Sequence, residues 1–169
     1  MDTWPNRFHF LAQKRRLPRR EPPLHRRGAP VMAFTRISNK EILLRSQIYS
    51  PDAVVVLDPV LLELVNVTDG LKNGGWLIAN TTKKPEELSA LRSFKIATVD
   101  ATGIALELDL KVAGFAVVNT PMLGAFAKAT NLISLESVKK AILDEWTGEI
   151  AELNAKAAEI AYERTLIKD

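Results

Sequence analysis

The 169-residue chain contains no cysteine. That absence excludes disulfides, a catalytic thiol and any iron–sulfur cluster held by thiolates of this chain. Histidine is nearly as scarce. The two present, His9 and His25, both lie near the N-terminus at a separation that matches no metal-ligand pattern. Neither G-x-G-x-x-G nor G-x-x-x-x-G-K-[ST] occurs, so no glycine-rich phosphate loop of either kind is on offer. No apolar run approaches the roughly 20 residues needed to cross a bilayer, and the N-terminus has no secretory apolar stretch. Residues 1–30 also lack serine, which argues against a transit peptide. The expectation is a cytoplasmic protein with no membrane partner.

Apolar residues make up 47% of the chain and charged residues 25%, a globular profile with enough length for one ordinary domain. The formal net charge of +3 is unevenly spread. Residues 1–30 hold eight Lys/Arg against Asp2 and Glu21, giving +6, whereas the remainder holds 15 bases and 18 acids, giving −3. We therefore divide the chain into a basic irregular arm, residues 1–25, and an α/β domain, residues 26–169. The arm shows no period of 2 or 3.6 and is rich in proline, so it is expected to be irregular or loosely attached. It is either an extension foreign to the domain or an arm for nucleic acid or an acidic surface. Nucleic acid is the less favoured partner, because the arm has no recognisable reader fold.

The rest of the chain is organised around residues 50–64, SPDAVVVLDPVLLEL. An unbroken apolar run with three consecutive valines suits a strand buried on both faces. It stops at Asp58-Pro59, a favoured N-cap followed by a favoured first helical residue, and the spacing then predicts a helix over 59–72. Before it, residues 30–37 alternate, 38–40 read as a turn, and 41–46 return as a second strand, which predicts an antiparallel hairpin. After it come predicted strands at 76–79, 94–99 and 116–118. Predicted helices begin at Pro85, Asp100 and Asn119. Two amphipathic helices close the chain. The first is capped by Ser134 and stopped by Gly148. The second has Ile150, Leu153, Ala157, Ile160 and Ala161 on its inner face. This alternation predicts a Rossmann-like three-layer α/β domain with a mainly parallel sheet, an antiparallel hairpin and two C-terminal helices.

In such sheets ligands bind at the carboxyl ends of the strands. Asp58, Asn80, Asp100 and Asn119 fall there. Each, or its neighbour, is equally a helix cap or turn former. Asp58 and Asp100 are the one conceivable acid/base pair, and Thr102-Gly103 the one glycine placed to approach a ligand at a helix start. Met122 and Phe126 stand at helical spacing, as core or interface residues do. No nucleophile motif is visible, so the residues by themselves suggest a subunit or non-catalytic module.

The segments RRGAPVMAFTRIS, LRSQIYSPDAVVVLDPVLLE, VDATGIALEL and NTPMLGAFAKAT, in that order, resemble the gamma subunits of 2-oxoacid:ferredoxin oxidoreductases, most closely the pyruvate type. The resemblance spans about residues 26–167. It implies a place beside alpha, beta and delta subunits in an enzyme that interconverts pyruvate, coenzyme A and oxidised ferredoxin with acetyl-CoA, carbon dioxide and reduced ferredoxin. Branched-chain or aryl 2-oxoacids are the alternative substrates. Thiamine diphosphate, Mg2+ and [4Fe–4S] clusters would then belong to other subunits, and ferredoxin would be met through the complex. The gamma domain would help to enclose coenzyme A. Arg26, Arg27 and Gly28, with Asn119 and Met122, are the candidates for contact with coenzyme A or a partner, since guanidinium groups suit phosphates and carboxylates. Family members normally begin with a strand and a Gly-Arg-Gly-Gly-Gln-Gly turn, then a helix and a strand. Residues 1–24 do not resemble that unit. A truncated or frame-shifted N-terminus is expected to leave an unpaired strand edge and exposed apolar side chains.

Overall fold

The computed structural model describes residues 9–16, 31–38, 41–43, 46–91 and 93–168. It divides into two units, Met1–Tyr49 and Ser50–Asp169. In the first, β1 (His9–Arg16) pairs antiparallel with β2 (Val31–Ser38) in full register from His9 opposite Ser38 to Arg16 opposite Val31. The antiparallel hairpin is thus present, but its second strand is not residues 41–46, whose described residues are irregular. The partner comes instead from the segment read as an irregular arm. Backbone hydrogen bonds alone can hold such a ladder, and the strand's sequence, HFLAQKRR, has no apolar/polar alternation to reveal it. Arg36 donates to the carbonyls of Ser46 (2.8 Å) and Gln47 (3.3 Å) and ties the following segment to β2.

The second unit is built on β3 (Ala53–Val56), β4 (Trp76–Asn80) and β5 (Lys95–Val99), all parallel, with β8 (Leu166–Lys168) antiparallel to β5. The order is β3-β4-β5-β8. Among the described residues β3 therefore has a neighbour on one side only. The expectation that its valines are buried on both faces fails, because an edge strand is not sandwiched: Val56 is buried but Val55 is 39% exposed. Period-2 alternation splits the central strands between two cores. Ile78, Ala97 and Val99 face α2 (Ala101–Glu107), α3 (Asn119–Thr130) and α5 (Gly148–Arg164), whereas Leu77, Ala79 and Val56 pack under Leu61, Leu62, Val67 and Phe94. Fully burying a side chain such as Ile78 contributes about 1.5–3 kcal/mol.

The predicted helix over 59–72 shrinks to α1 (Leu61–Leu64). Asp58 accepts from Val60 N at 3.0 Å instead of capping a longer helix. Asn66 then captures both the N–H and the hydroxyl of Thr68, a local alternative that competes with helix. Lys72 N reaches Pro51 O at 3.1 Å and returns the chain to the head of β3. Pro85–Leu91 is a 3-10 segment. The strand expected at 116–118 is instead half of a two-residue hairpin, β6 (Lys111–Val112) with β7 (Phe115–Ala116), outside the main sheet. Its turn residues Ala113 and Gly114 have φ of 50° and 84°, as tight two-residue hairpin turns of the mirror-image type require.

Ser134 caps α4 (Leu135–Glu145) by accepting from Ser137 N. Gly148 does not stop that helix. It opens α5 at φ 69°. The inner face of α5 holds Leu153, Ala157, Ile160 and Ala161 in or against the main core as the stripe predicts, but it also takes in Ala151, Asn154, Ala155 and Ala158, while Ile150 is 61% exposed. Small residues fill its most buried positions because α3 crosses at close range. A Cβ placed on Gly124 would collide with the carbonyl of Ala158. Thr120 donates to Asn154 Oδ1 (2.8 Å), and Asn154 Nδ2 donates to Ile150 O (2.8 Å), so the buried polar pair at this crossing is satisfied.

Candidate functional site at the carboxyl edge of the sheet

The three parallel strands end at Leu57-Asp58, Asn80 and Asp100, and the turns that follow form the edge where a ligand would be met. Asn80 is 2% exposed and fully engaged. Its Nδ2 donates to Leu57 O (2.8 Å) and to Thr102 Oγ1 (2.9 Å), and its Oδ1 accepts from Thr102 N (3.2 Å). One amide thus joins the end of β3, the end of β4 and the first turn of α2. Thr81 N continues the seam to Val99 O at 2.9 Å.

Asp100 is the N-cap of α2, accepting from Gly103 N at 2.8 Å. A side chain on Gly103 would strike this carboxylate, so the glycine serves the cap and not the approach of a ligand. Asp58 is likewise occupied in its own turn. The two carboxylates are each bound to local backbone, and neither is paired with the other in an acid/base arrangement. Lys83, on the loop leaving β4, reaches Glu63 at 3.3 Å across the exposed edge. Among the described residues, no group of three His, Cys, Asp or Glu is placed to hold a metal ion.

The other residues singled out from the sequence divide. Asn119 is exposed at the first turn of α3, which packs against β4 and β5. Met122, one turn later, is 2% exposed inside the main core, so contact with coenzyme A or a partner gives way to packing. Arg26, Arg27 and Gly28 lie outside the described residues. Thr102 is the edge residue that sequence reasoning undervalued. An Asn ending a buried strand is a signal of a bracing amide, but its partner 22 residues later has no local signature.

The groups with displaced titration lie past the other end of α2. The Lys111 ammonium, hydrogen-bonded to Asp109, holds that carboxyl below the usual carboxylate range. Glu107 hydrogen-bonds Arg164 and raises the guanidinium further. Neither pair takes part in the edge. What the edge can do chemically is hold its own strands together and present exposed turns.

Against known proteins, the family model described as pyruvate ferredoxin/flavodoxin oxidoreductase matches residues 13–164. The chain is 55% identical over 145 residues to the pyruvate synthase subunit PorC of Methanocaldococcus jannaschii, covering 86% of this chain and 77% of that one. It is 54% identical over 147 residues to the pyruvate/ketoisovalerate oxidoreductases common subunit gamma of Thermococcus kodakarensis, covering 85% and 77%. Among solved structures, the pyruvate oxidoreductase subunit PORC of Thermotoga maritima superposes with a TM-score of 0.75 at 31% identity, covering 96% of this chain and 83% of that one.

Proposed function

Because the chain belongs to the pyruvate ferredoxin/flavodoxin oxidoreductase family, we propose that it is the non-catalytic, gamma-type subunit of a cytoplasmic pyruvate:ferredoxin oxidoreductase. In that role it seats on alpha, beta and delta subunits and helps to enclose coenzyme A. The complex converts pyruvate, coenzyme A and oxidised ferredoxin to acetyl-CoA, carbon dioxide and reduced ferredoxin, or runs in reverse.

The observation that supports a non-catalytic role is the occupied carboxyl edge. Asn80, Asp58 and Asp100 spend their polar atoms on the fold. A [4Fe–4S] cluster does not fit this chain's donor set, which contains no thiolate. We assign the clusters, thiamine diphosphate and its Mg2+ to sister subunits, and no step of the reaction to side chains described here. Arg26 and Arg27 are assigned to the phosphates of coenzyme A or to partner carboxylates, with Asn119 as a second contact. Among the described residues no helix is long and apolar enough to cross a membrane.

A second substrate class has one specific observation behind it. The Thermococcus relative is named as a subunit common to pyruvate and ketoisovalerate oxidoreductases, so one gamma-type chain of this family serves two catalytic partners. We therefore keep branched-chain 2-oxoacids as the alternative substrate, chosen by the sister subunits.

The test is to assay pyruvate-dependent viologen reduction with the chain alone and after co-expression with its sister subunits. The chain alone is expected to be inactive and to copurify with an active complex. Turnover by the isolated chain would refute the proposal, as would a fully active complex that excludes it. A panel of 2-oxoacids on the assembled enzyme decides the substrate.

A further inference from the structure

The corner joining α4 to α5 is acidic and apolar together. Residues 143–152 read LDEWTGEIAE, with four acids and no base. Asp144, Glu145, Glu149 and Glu152 are all exposed. Between them stand Leu143, 48% exposed, Trp146, 38% exposed, and the outward Ile150. The buried residues of α4 are Val138 and Ile142, and that of the start of α5 is Ala151, so the three larger side chains keep a substantial part of their surface exposed.

The fold accounts for these charges only in part. Glu149 is favoured in the first turn of α5 by the helix dipole. Asp144 and Glu145 occupy the last turn of α4, the negative end of its dipole, where acids are disfavoured and no base accompanies them. A shallow groove of about 400 Å³ adjoins the corner, lined by Leu135, Leu143, Glu136, Asp144, Lys139 and Lys140 of α4 with Glu159 of α5. Of its two lysines, Lys139 is held by Glu159 at 2.9 Å and Lys140 stands one turn before Asp144, and the acids of the corner still outnumber these bases.

An aromatic and two aliphatic side chains set in negative potential are complementary to a segment carrying both bases and apolar anchors. The same potential repels nucleic acid, an anionic lipid surface and the phosphates of coenzyme A. Exposed Trp with aliphatic neighbours is the composition of an interface anchor. We propose that this corner seats a Lys/Arg-bearing amphipathic segment of another subunit of the same oxidoreductase. This rests on the subunit role proposed above.

The test measures association of the full chain with its sister subunits at two ionic strengths. Three variants are compared with the natural sequence: D144K/E145K/E149K, the milder D144N/E145Q/E149Q, and W146A. A reversal at a distant exposed acid, E86K, is the control. Circular dichroism and thermal unfolding check that each folds. Reversal is expected to weaken association at least tenfold, with a reduced dependence on salt. Neutralisation should give a smaller loss of the same kind. W146A should weaken association while keeping the salt dependence, and E86K should change nothing. If the natural chain joins its sister subunits and the corner variants do so equally well, the corner is not the docking site. If the natural chain does not join them at all, the subunit role itself fails. If the variants instead abolish a homodimer seen by light scattering, the occupant is a second copy, and the proposed sister segment is wrong.

Discussion

Replacing Asn80 by aspartate keeps the shape of the side chain and removes its donor. Leu57 O and Thr102 Oγ1 would then face a carboxylate oxygen in place of the Nδ2 that now reaches them at 2.8 and 2.9 Å. The expected loss is about 1–3 kcal/mol, the cost of stranding a buried polar group, read by urea unfolding. Gly124 is a different kind of constraint. Gly124→Ala must push α3 away from α5, because the added carbon meets the backbone of Ala158 and no side chain can yield. Overpacking of this sort costs about 1–3 kcal/mol, and a lowered midpoint with an unchanged slope in the same experiment is the expected result. Arg26 and Arg27 are tested in the assembled enzyme. If they meet the phosphates of coenzyme A, R26A/R27A raises the KM for coenzyme A by roughly tenfold or more and leaves kcat in place, the pattern of lost uniform binding through charge-assisted hydrogen bonds. An unchanged KM would return them to the basic arm.

At the scale of elements, the β6–β7 hairpin carries its own titration. Asp109 is fully exposed, sits at φ 52° and binds Lys111 at 2.7 Å. Its folded pKa is depressed. The stabilisation it gives the hairpin is therefore present above the unfolded pKa and lost as pH falls through the lower, folded one. A carboxyl-detected NMR titration should find Asp109 below an ordinary aspartate, and Lys111→Ala should return it to the ordinary range. Elements also show why sequence reading succeeded in some places and failed in others. The strands at Trp76 and Lys95 and the caps at Asp100 and Ser134 rest on local signals: apolar runs, and cap residues in the right place. The helix expected after Asp58 was cut short by Asn66 and Thr68, whose side chains compete with the backbone, and propensity registers that only weakly. On α5, Leu153, Ala157, Ile160 and Ala161 meet the core as their spacing predicts, whereas the burial of Asn154, Ala155 and Ala158 and the exposure of Ile150 follow from the close crossing of α3, a tertiary fact invisible along one helix. β8, three exposed residues long, had no periodic signal at all.

The edge strand β3 shapes the behaviour of the whole molecule. It presents AVVV with no charge, proline or bulge, and among the described residues one side of its ladder is unpartnered. Such an edge invites pairing with another chain. The isolated chain is expected to associate as concentration rises, and Val55→Lys, at an outward position, should reduce that association in light scattering without lowering thermal stability appreciably. At this scale the site was less legible than the fold. Asp58, Asn80 and Asp100 were placed correctly at the carboxyl edge because strand ends can be counted. Whether they bind a ligand or brace the sheet depends on partners distant in sequence: Asn80 with Leu57 and Thr102, and Thr120 with Asn154.

The antiparallel strand β8 has a consequence in time. Thr98 of β5 pairs with Leu166, so this rung waits until α2, the small hairpin and the three longer helices α3, α4 and α5 have been gathered in. Closing so wide a chain segment is entropically late, and its reward is three short rungs. The same rungs should be the first to let go. In hydrogen–deuterium exchange the amides of Leu166–Lys168 should give up protection long before those of the β4–β5 ladder, so that opening of the sheet begins from the strand farthest along the chain.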